Sequence, residues 1–378
     1  AAKGYFINTT SNACTITLPS SAEAGDQIIL VDYARTWGTN AITIDSNGLL
    51  FQGEEDTYIV DYDTAGQALN LVYSGSTVGW TPSSDIVNAL EPVAPVVQKA
   101  LFAFGNTGSV SNLSNKVSSS GVVASDTSGV GTARSGLGAA NYGGDKAIFA
   151  YGNSGSVTAI SNLVNNSGTV AADVTGVGTA RALTAGVSYG GDKAIFGFGD
   201  PNTSITNLVN SSGVVSSDTS GVGTARYGLS AAPYGGDKAA FAYGSDHVNT
   251  KNLVTNLGVV GSDVTGVGTA RSYLAAAGYG GDKGVFGYGY TGSNVSLKNL
   301  LGNNGVIAAD VSGVGSARRG LAASSYGGDK AIFGFGQISS YTAITNLVNS
   351  SGVIAADVSG VGTARGGNLA AAGYSYST

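Results

Sequence analysis

One short string constrains this chain more than its overall composition does. Val-Gly-Thr-Ala-Arg, or Val-Gly-Ser-Ala-Arg once, recurs with its arginine at Arg134, Arg181, Arg226, Arg271, Arg318 and Arg365, at spacings of 47, 45, 45, 47 and 47 residues. A second string, Lys-[Ala/Gly]-x-Phe-[Ala/Gly]-[Phe/Tyr]-Gly, places Phe102, Phe149, Phe196, Phe241, Phe286 and Phe333. A third, Asn-Leu before a polar turn and an apolar pair, starts at Asn112, Asn162, Asn207, Asn252, Asn299 and Asn346. Such a period demands a repeat architecture in which each unit buries its apolar face against its neighbours.

Within a unit the pattern predicts four antiparallel strands. After Arg226, YGLSAAPY is a strand of small residues and Gly235-Gly236-Asp237 a hairpin turn; KAAFAYG, a VTNLV-type segment and GVVxxD supply the other three. No segment has helical periodicity. The array ends choose between a solenoid and a ring. The first unit starts at Lys99 without its first strand, and the chain ends after Arg365 with a lone first strand, GGNLAAAGY. The fragments make one whole unit, which suits a ring closed by a composite blade and hides two open edges. Ala139-Ala140, Ala275-Ala276-Ala277 and Ala370-Ala371-Ala372 leave room near the axis. The six phenylalanines, with Leu137, Leu183, Leu229, Leu274, Leu321 and Leu369, are expected to fill the space between blades. The order of parts over 99–378 resembles the kelch propeller family, without that family's outer-strand tryptophan.

Residues 1–85 differ. The first 90 residues hold both tryptophans, Trp37 and Trp80, and only eight of the 60 glycines. ACTITLP, DQIILVDY, AITID, YIVDY and ALNLVYS predict a small antiparallel β-sandwich or barrel, and Pro92 and Pro95 mark residues 86–98 as a linker. The strings GYFINTT, TITLPSSAEAGDQIILVDYARTW, AITID and LVYSG are similar to a module of tail-fibre and other virion proteins of tailed bacteriophages, many from aquatic hosts. The AxFGxG…NLV…VGTAR repeats are similar to repeats in such proteins. The resemblance implies an extracellular virion protein whose partners are other virion proteins and a host-surface glycan or protein, with homo-oligomerisation expected.

Charge and chemistry narrow the function. Residues 1–98 carry eleven acidic side chains against Lys3 and Arg35, and residues 99–378 carry 16 Lys and Arg against 13 Asp. Neither resembles the basic stripe of a nucleic-acid binder, and no apolar run is long enough to span a bilayer. With Cys14 and His247 the only residues of their types, no disulfide, metal or cofactor ligand set can be drawn. Ser245, Asp246 and His247 are adjacent in one loop, so their side chains point apart and form no triad. The propeller region has no glutamate, and 11 of its 13 aspartates recur by repeat: five in GGDK turns, and Asp126, Asp173, Asp218, Asp263, Asp310 and Asp357 closing the fourth strands. Residues repeated in every unit, these aspartates, the arginines and the tyrosines from Tyr142 to Tyr374, are expected to serve the scaffold. A non-enzymatic protein is the outcome.

Function is expected where the repeat breaks. The segments between second and third strands vary in length and sequence, and together with the VGTAR connections they should emerge on one face, opposite the GGDK turns. They carry Asp200, Asn202, Asp246, His247, Lys251, Tyr288, Tyr290, Lys298 and Tyr341, a set suited to a glycan or polar protein patch. The favoured reading is a phage tail fibre or surface fibre that binds the host through this face. A decoration or baseplate protein docking other virion proteins, and a bacterial adhesin or lectin, are the alternatives.

Overall fold

The computed structural model describes residues 3–55, 59–84 and 98–375. The chain is all-β and divides into two compact units, residues 1–96 and residues 97–376. The expected linker lies outside the described residues except for Gln98. Among the described residues the sole helical piece is a 3-10 turn at Ser245–His247, and no helix is long and apolar enough to cross a membrane.

The first unit has two sheets around one core. Lys3–Ile7, Gln27–Asp32, Ala68–Tyr73 and Trp80–Pro82 form one; Cys14–Thr17, Ile42–Asp45 and Val60–Tyr62 form the other. The expected all-antiparallel pairing is corrected. Lys3–Ile7 runs parallel to Gln27–Asp32, and Cys14–Thr17 parallel to Ile42–Asp45. The chain alternates between sheets, so each parallel connection crosses through a strand of the opposite sheet, which supplies the crossover that parallel pairing requires. Trp37, Trp80, Leu30, Leu69, Leu71, Ile42 and Tyr62 fill the core, and buried Asp32 accepts backbone N–H bonds from Thr36, Trp37 and Gly66 to hold two loops against it.

The second unit contains six three-stranded antiparallel sheets. Each runs from an inner strand of small residues (Gly138–Tyr142 in the first) through a GGDK turn to a middle strand (Lys146–Ala150) and on to an outer strand (Ser161–Val164). Two glycines with φ near +62° and +80° make the turn, where side chains are disfavoured. The sixth sheet joins the first and last strands of this unit: Ala370–Tyr374 pairs with Lys99–Ala103, Ala370 opposite Ala103 and Tyr374 opposite Lys99.

Each expected fourth strand is reduced to two isolated bridges, such as Ser161 to Val174 and Val164 to Val170. Here a side chain substitutes for the ladder: the Asn162 amide donates to Ala171 O at 3.0 Å and to Asp173 Oδ1 at 2.9 Å. In the sheet built from both termini the equivalent asparagine is Asn115, not Asn112, because Asn112 precedes the outer strand Ser114–Val117.

Two rings of main-chain hydrogen bonds link the sheets in cyclic order. At one end Leu183 N–H donates to Gly136 O, Gly228 to Leu183, Tyr273 to Gly228, Gly320 to Tyr273, Asn368 to Gly320 and Gly136 to Asn368, at 2.5–3.2 Å. At the turn end Gly143 donates to Asp192 O, Gly190 to Asp237, Gly235 to Asp282 and Gly280 to Asp329; Gly327 to Gln98 and Ser375 to Asp145 complete the circuit. Gln98 and Ser375 thus stand where the other sheets have aspartate and glycine.

Between sheets, the six middle-strand phenylalanines are fully buried. Each meets an aromatic ring of the neighbouring sheet at 5.2–5.6 Å between centroids, mostly edge to face, as in Phe102–Phe335 and Tyr288–Phe333. Leu137, Leu229, Leu274, Leu321 and Leu369 are buried, but Leu183 is only half-buried and Thr184 fills its expected place. The buried position lies three residues after the arginine, or four in the sixth copy with its extra residue, and in the second copy that position is Thr184. Leu183, two residues after Arg181, matches by residue type and not by spacing.

Candidate binding face

The repeated ionisable residues build the scaffold. Each repeat arginine is at most 2% exposed and lies 4.0–4.3 Å over an aromatic ring of the preceding sheet. Arg134 is representative of four of the six; Arg271 lacks the Nη2 bond, and Arg365 makes a single hydrogen bond, Nη2 to Phe102 O at 3.4 Å. Arg134 Nε donates to Tyr151 O at 2.8 Å, Nη1 to Thr132 O at 3.1 Å and Nη2 to Asn162 Oδ1 at 2.7 Å, while its guanidinium covers Phe104. Burial lowers its pKa to about 10, against the pull of Asp173. Asp173 in turn accepts from the Thr132 hydroxyl at 2.6 Å and from Thr132 N–H. Burial alone would raise the Asp173 carboxyl; hydrogen bonds from Thr132 and Asn162, and the charge of Arg134, outweigh it and hold the group below its ordinary value. The arginine is buried, so the network presents no guanidinium donor to a ligand at the surface.

Three of the residues expected on a recognition face belong to this scaffold. Tyr288 is fully buried with φ of +63°, which turns its ring inward under Arg318, and its hydroxyl donates to Val314 O at 3.1 Å. Lys251 is 9% exposed and its Nζ donates to Gly305 O at 2.8 Å. Lys298 does the same to Gly352 O at 2.8 Å, 54 residues on. Both lysines begin outer strands and tie each to the turn of the next sheet, and burial lowers the pKa of each. They are corrected from recognition residues to structural ties.

The other six lie on one face. The variable segments pair with the residues that follow the repeat arginines: Ala182 bridges Asp200, Ser272 bridges Tyr290, Arg319 bridges Gln337, and Ser245 N–H donates to Tyr227 O. Asp200, Asn202, Asp246 and His247 are exposed, with cis-Pro201 following Asp200. Tyr341 is half-buried, closes its own loop by a bridge to Gln337 and rests against Gly366. His247 stands 5.8 Å from the Tyr290 ring, with Nδ1 3.4 Å from Ser272 Oγ.

Sequence reasoning missed the residues at the centre of this face. The ring Gly136, Leu183, Gly228, Tyr273, Gly320, Asn368 alternates glycine with a larger residue, and all six have φ between +52° and +67°. Leu183, Tyr273 and Asn368 therefore crown the mouth in a conformation that glycine holds elsewhere in the ring. Beside them a cavity of about 370 Å³ is lined by Leu183, Tyr273, Arg319, Gly320, Gln337, Gly367 and Asn368. Tyr227 packs 6.5 Å from Tyr273, and the Arg319 guanidinium lies 4.4 Å over Tyr290. Burial raises the Tyr273 hydroxyl pKa, helped by Tyr227 and Asp200 and opposed by Arg319. Deeper along the axis, spaces of about 80 and 60 Å³ lined mostly by Ala, Gly and Ser hold no room for an organic ligand. The available signal was a break in the repeat directly after its arginine, where Tyr227, Tyr273 and Arg319 replace Ser, Ala or Gly of other copies.

Among the described residues no three His, Cys, Asp or Glu side chains converge as a metal site. The face offers aromatic rings, the Arg319 guanidinium, amides and hydroxyls. No protein-family model matches the chain, and no curated protein matches it significantly.

Proposed function

We propose that this chain is a non-enzymatic surface protein of a tailed-phage virion, a tail fibre or surface fibre. In this reading residues 97–376 form a six-bladed, kelch-like β-propeller closed by a composite blade, and the first unit is a β-sandwich for attachment or oligomerisation. The two hydrogen-bond rings and the pairing of the terminal strands support the closed propeller. The host-binding role is carried by one observation. The side chains that depart from the repeat, Tyr227, Tyr273, Tyr290, Arg319, His247 and Asn368, cluster on one face around a cavity, while the opposite face repeats GGDK. Rigid scaffolds carry specificity on such non-repeating surfaces.

A second reading, docking of other virion proteins, draws on the perimeter. Val122, Val214, Val259, Val306 and Val353, at equivalent places beside the outer turns, are 55–66% exposed. Two measurements decide. Gold-labelled antibody against the chain should decorate phage particles, and label on no particle overturns the virion assignment. Full-length protein should block particle adsorption to host cells. The variant Tyr227→Ser/Tyr273→Gly/Arg319→Ser, made of residues other repeats carry, should not block it although its melting temperature is kept. Undiminished blocking by that variant moves recognition off this face.

A further inference from the structure

We infer that the cavity at the mouth of the hydrogen-bonded ring takes a carboxylate-bearing sugar, a uronic acid residue of a surface polysaccharide; this rests on the recognition-face reading above and names its ligand class. Arg319 sets the charge. Unlike the six repeat arginines, it is half-exposed, and among the described residues no carboxylate lies within 4 Å of it. The Tyr290 ring covers one face of its guanidinium at 4.4 Å, which restricts the plane, and among the described residues no hydrogen bond or ion pair occupies its N–H donors. A planar fork with free donors matches a carboxylate bidentately.

The neighbours select a sugar over a bare anion. Tyr273, held by its φ of +54° in the ring of hydrogen bonds and flanked by Tyr227 at 6.5 Å, gives an aromatic wall for the C–H face of a pyranose. Leu183 continues the apolar wall, and Asn368 and Gln337 contribute amides for hydroxyl groups. At about 370 Å³ the cavity lies at the small-molecule end of ligand sites, typically ~300–1,000 Å³. The other titratable groups near the cavity limit the ligand's charge. Asp200 acts on Tyr273 electrostatically, and His247 stands beyond Tyr290. One cation with no carboxylate within 4 Å favours a ligand with one negative charge per residue and many hydroxyls, and disfavours polyphosphates and nucleic acid.

The test uses full-length protein and four probes: tetragalacturonate, monomeric galacturonate, galactose and acetate, with binding read by calorimetry. Both uronates are expected to bind, the tetramer more tightly if the source is a polymer chain, with galactose and acetate at least about tenfold weaker. Arg319→Gln and Tyr273→Gly are each expected to weaken uronate binding about tenfold or more, as loss of a charge-assisted hydrogen bond does, with unchanged melting temperatures. Equal binding of galactose and galacturonate, no uronate binding, or uronate binding unaffected by Arg319→Gln overturns the proposal. Adsorption blocking measured in parallel separates the two claims. Blocking that depends on Arg319 without any uronate binding overturns the ligand class and leaves the recognition face standing. Arg319-dependent uronate binding by a protein that blocks no adsorption supports the site and overturns the host-receptor role.

Discussion

Arg318 stacks 4.2 Å over the ring of Tyr288, a residue of the preceding sheet, while its Nε donates to Phe335 O at 2.9 Å in its own sheet. One side chain thereby ties two sheets; the stacking recurs at every boundary, and the Nε bond at all but Arg365. Its Nη2 also donates to Asn346 Oδ1 at 2.7 Å. Lysine supplies neither the flat stacking surface nor the fork. Arg318→Lys is therefore expected to destabilise the protein by about 2–4 kcal/mol, since breaking a buried, fully bonded charge leaves its partners unsatisfied. Arg319→Lys, one residue on and half-exposed, should stay within about 0.5 kcal/mol. Urea unfolding of the two variants checks the contrast.

Acid should loosen the sheet boundaries together. At Asp173, Asp218 and Asp357 burial works to raise the carboxyl pKa, but hydrogen bonds from Thr132, Thr179 or Ser316 and from the outer-strand asparagines prevail and lower it. A carboxylate whose folded pKa lies below its unfolded value stabilises the fold fully above the ordinary carboxylate range, about pH 4. That stability is lost as pH falls through the folded value. Melting temperature should hold from pH 7 to about 5 and then drop, and Asp218→Asn should melt lower at pH 7 with a shallower acid drop. A pH-independent difference between Asp218→Asn and the parent protein contradicts this linkage.

In the proposed propeller, closure depends on a thirteen-residue tail. Deleting residues 366–378 removes Ala370–Tyr374, the partner of Lys99–Ala103, together with Asn368 of the mouth ring and Ser375 of the turn ring. The truncated protein is expected to be insoluble or to lose cooperative unfolding, because the edge of Lys99–Ala103 is left unpaired and both hydrogen-bond rings are interrupted. A truncation that melts like the full chain overturns ring closure.

The alternating mouth ring predicts an asymmetry between its members. Gly228 has φ of +60°, and a Cβ there would approach Tyr273 Cε1 to 3.1 Å, so Gly228→Ala should cost about 1 kcal/mol or more. Leu183 has φ of +52° and is half-buried, so Leu183→Gly releases backbone strain while losing little packing. It should cost under about 1 kcal/mol, against about 2–5 kcal/mol for Leu137→Ala in the core. Thermal melts of the three variants test the order.

The first unit should fold alone. Trp37 and Trp80 are buried in its own core, and Trp80 meets Tyr73 edge to face at 5.4 Å. Residues 1–96 expressed by themselves are expected to unfold cooperatively, with a red shift of tryptophan emission on unfolding. Emission already red-shifted in buffer contradicts an autonomous domain.

The sequence by itself determined the period, the GGDK hairpins, the buried phenylalanines and the complementarity of the two chain ends. Each rests on local rules or on counting: glycine pairs accept positive φ, apolar residues recur at fixed register, and two fragments add up to one sheet. It also assigned the repeated Arg and Asp to the scaffold, since a residue present in every unit serves what every unit needs. Tertiary structure alone decided which non-repeating residues face outward. Tyr288 is a departure in sequence but turns inward at a positive φ to receive Arg318, and Lys251 and Lys298 spend their charges on turns 54 residues away. The mouth cluster was marked in the sequence only by breaks in the repeat after its arginines, which do not say that the residues meet. Tyr227, Tyr273, Arg319 and Asn368 come from different copies, and only the cyclic order of the sheets, joined by hydrogen bonds between residues as far apart in sequence as Gly136 and Asn368, brings them round one cavity.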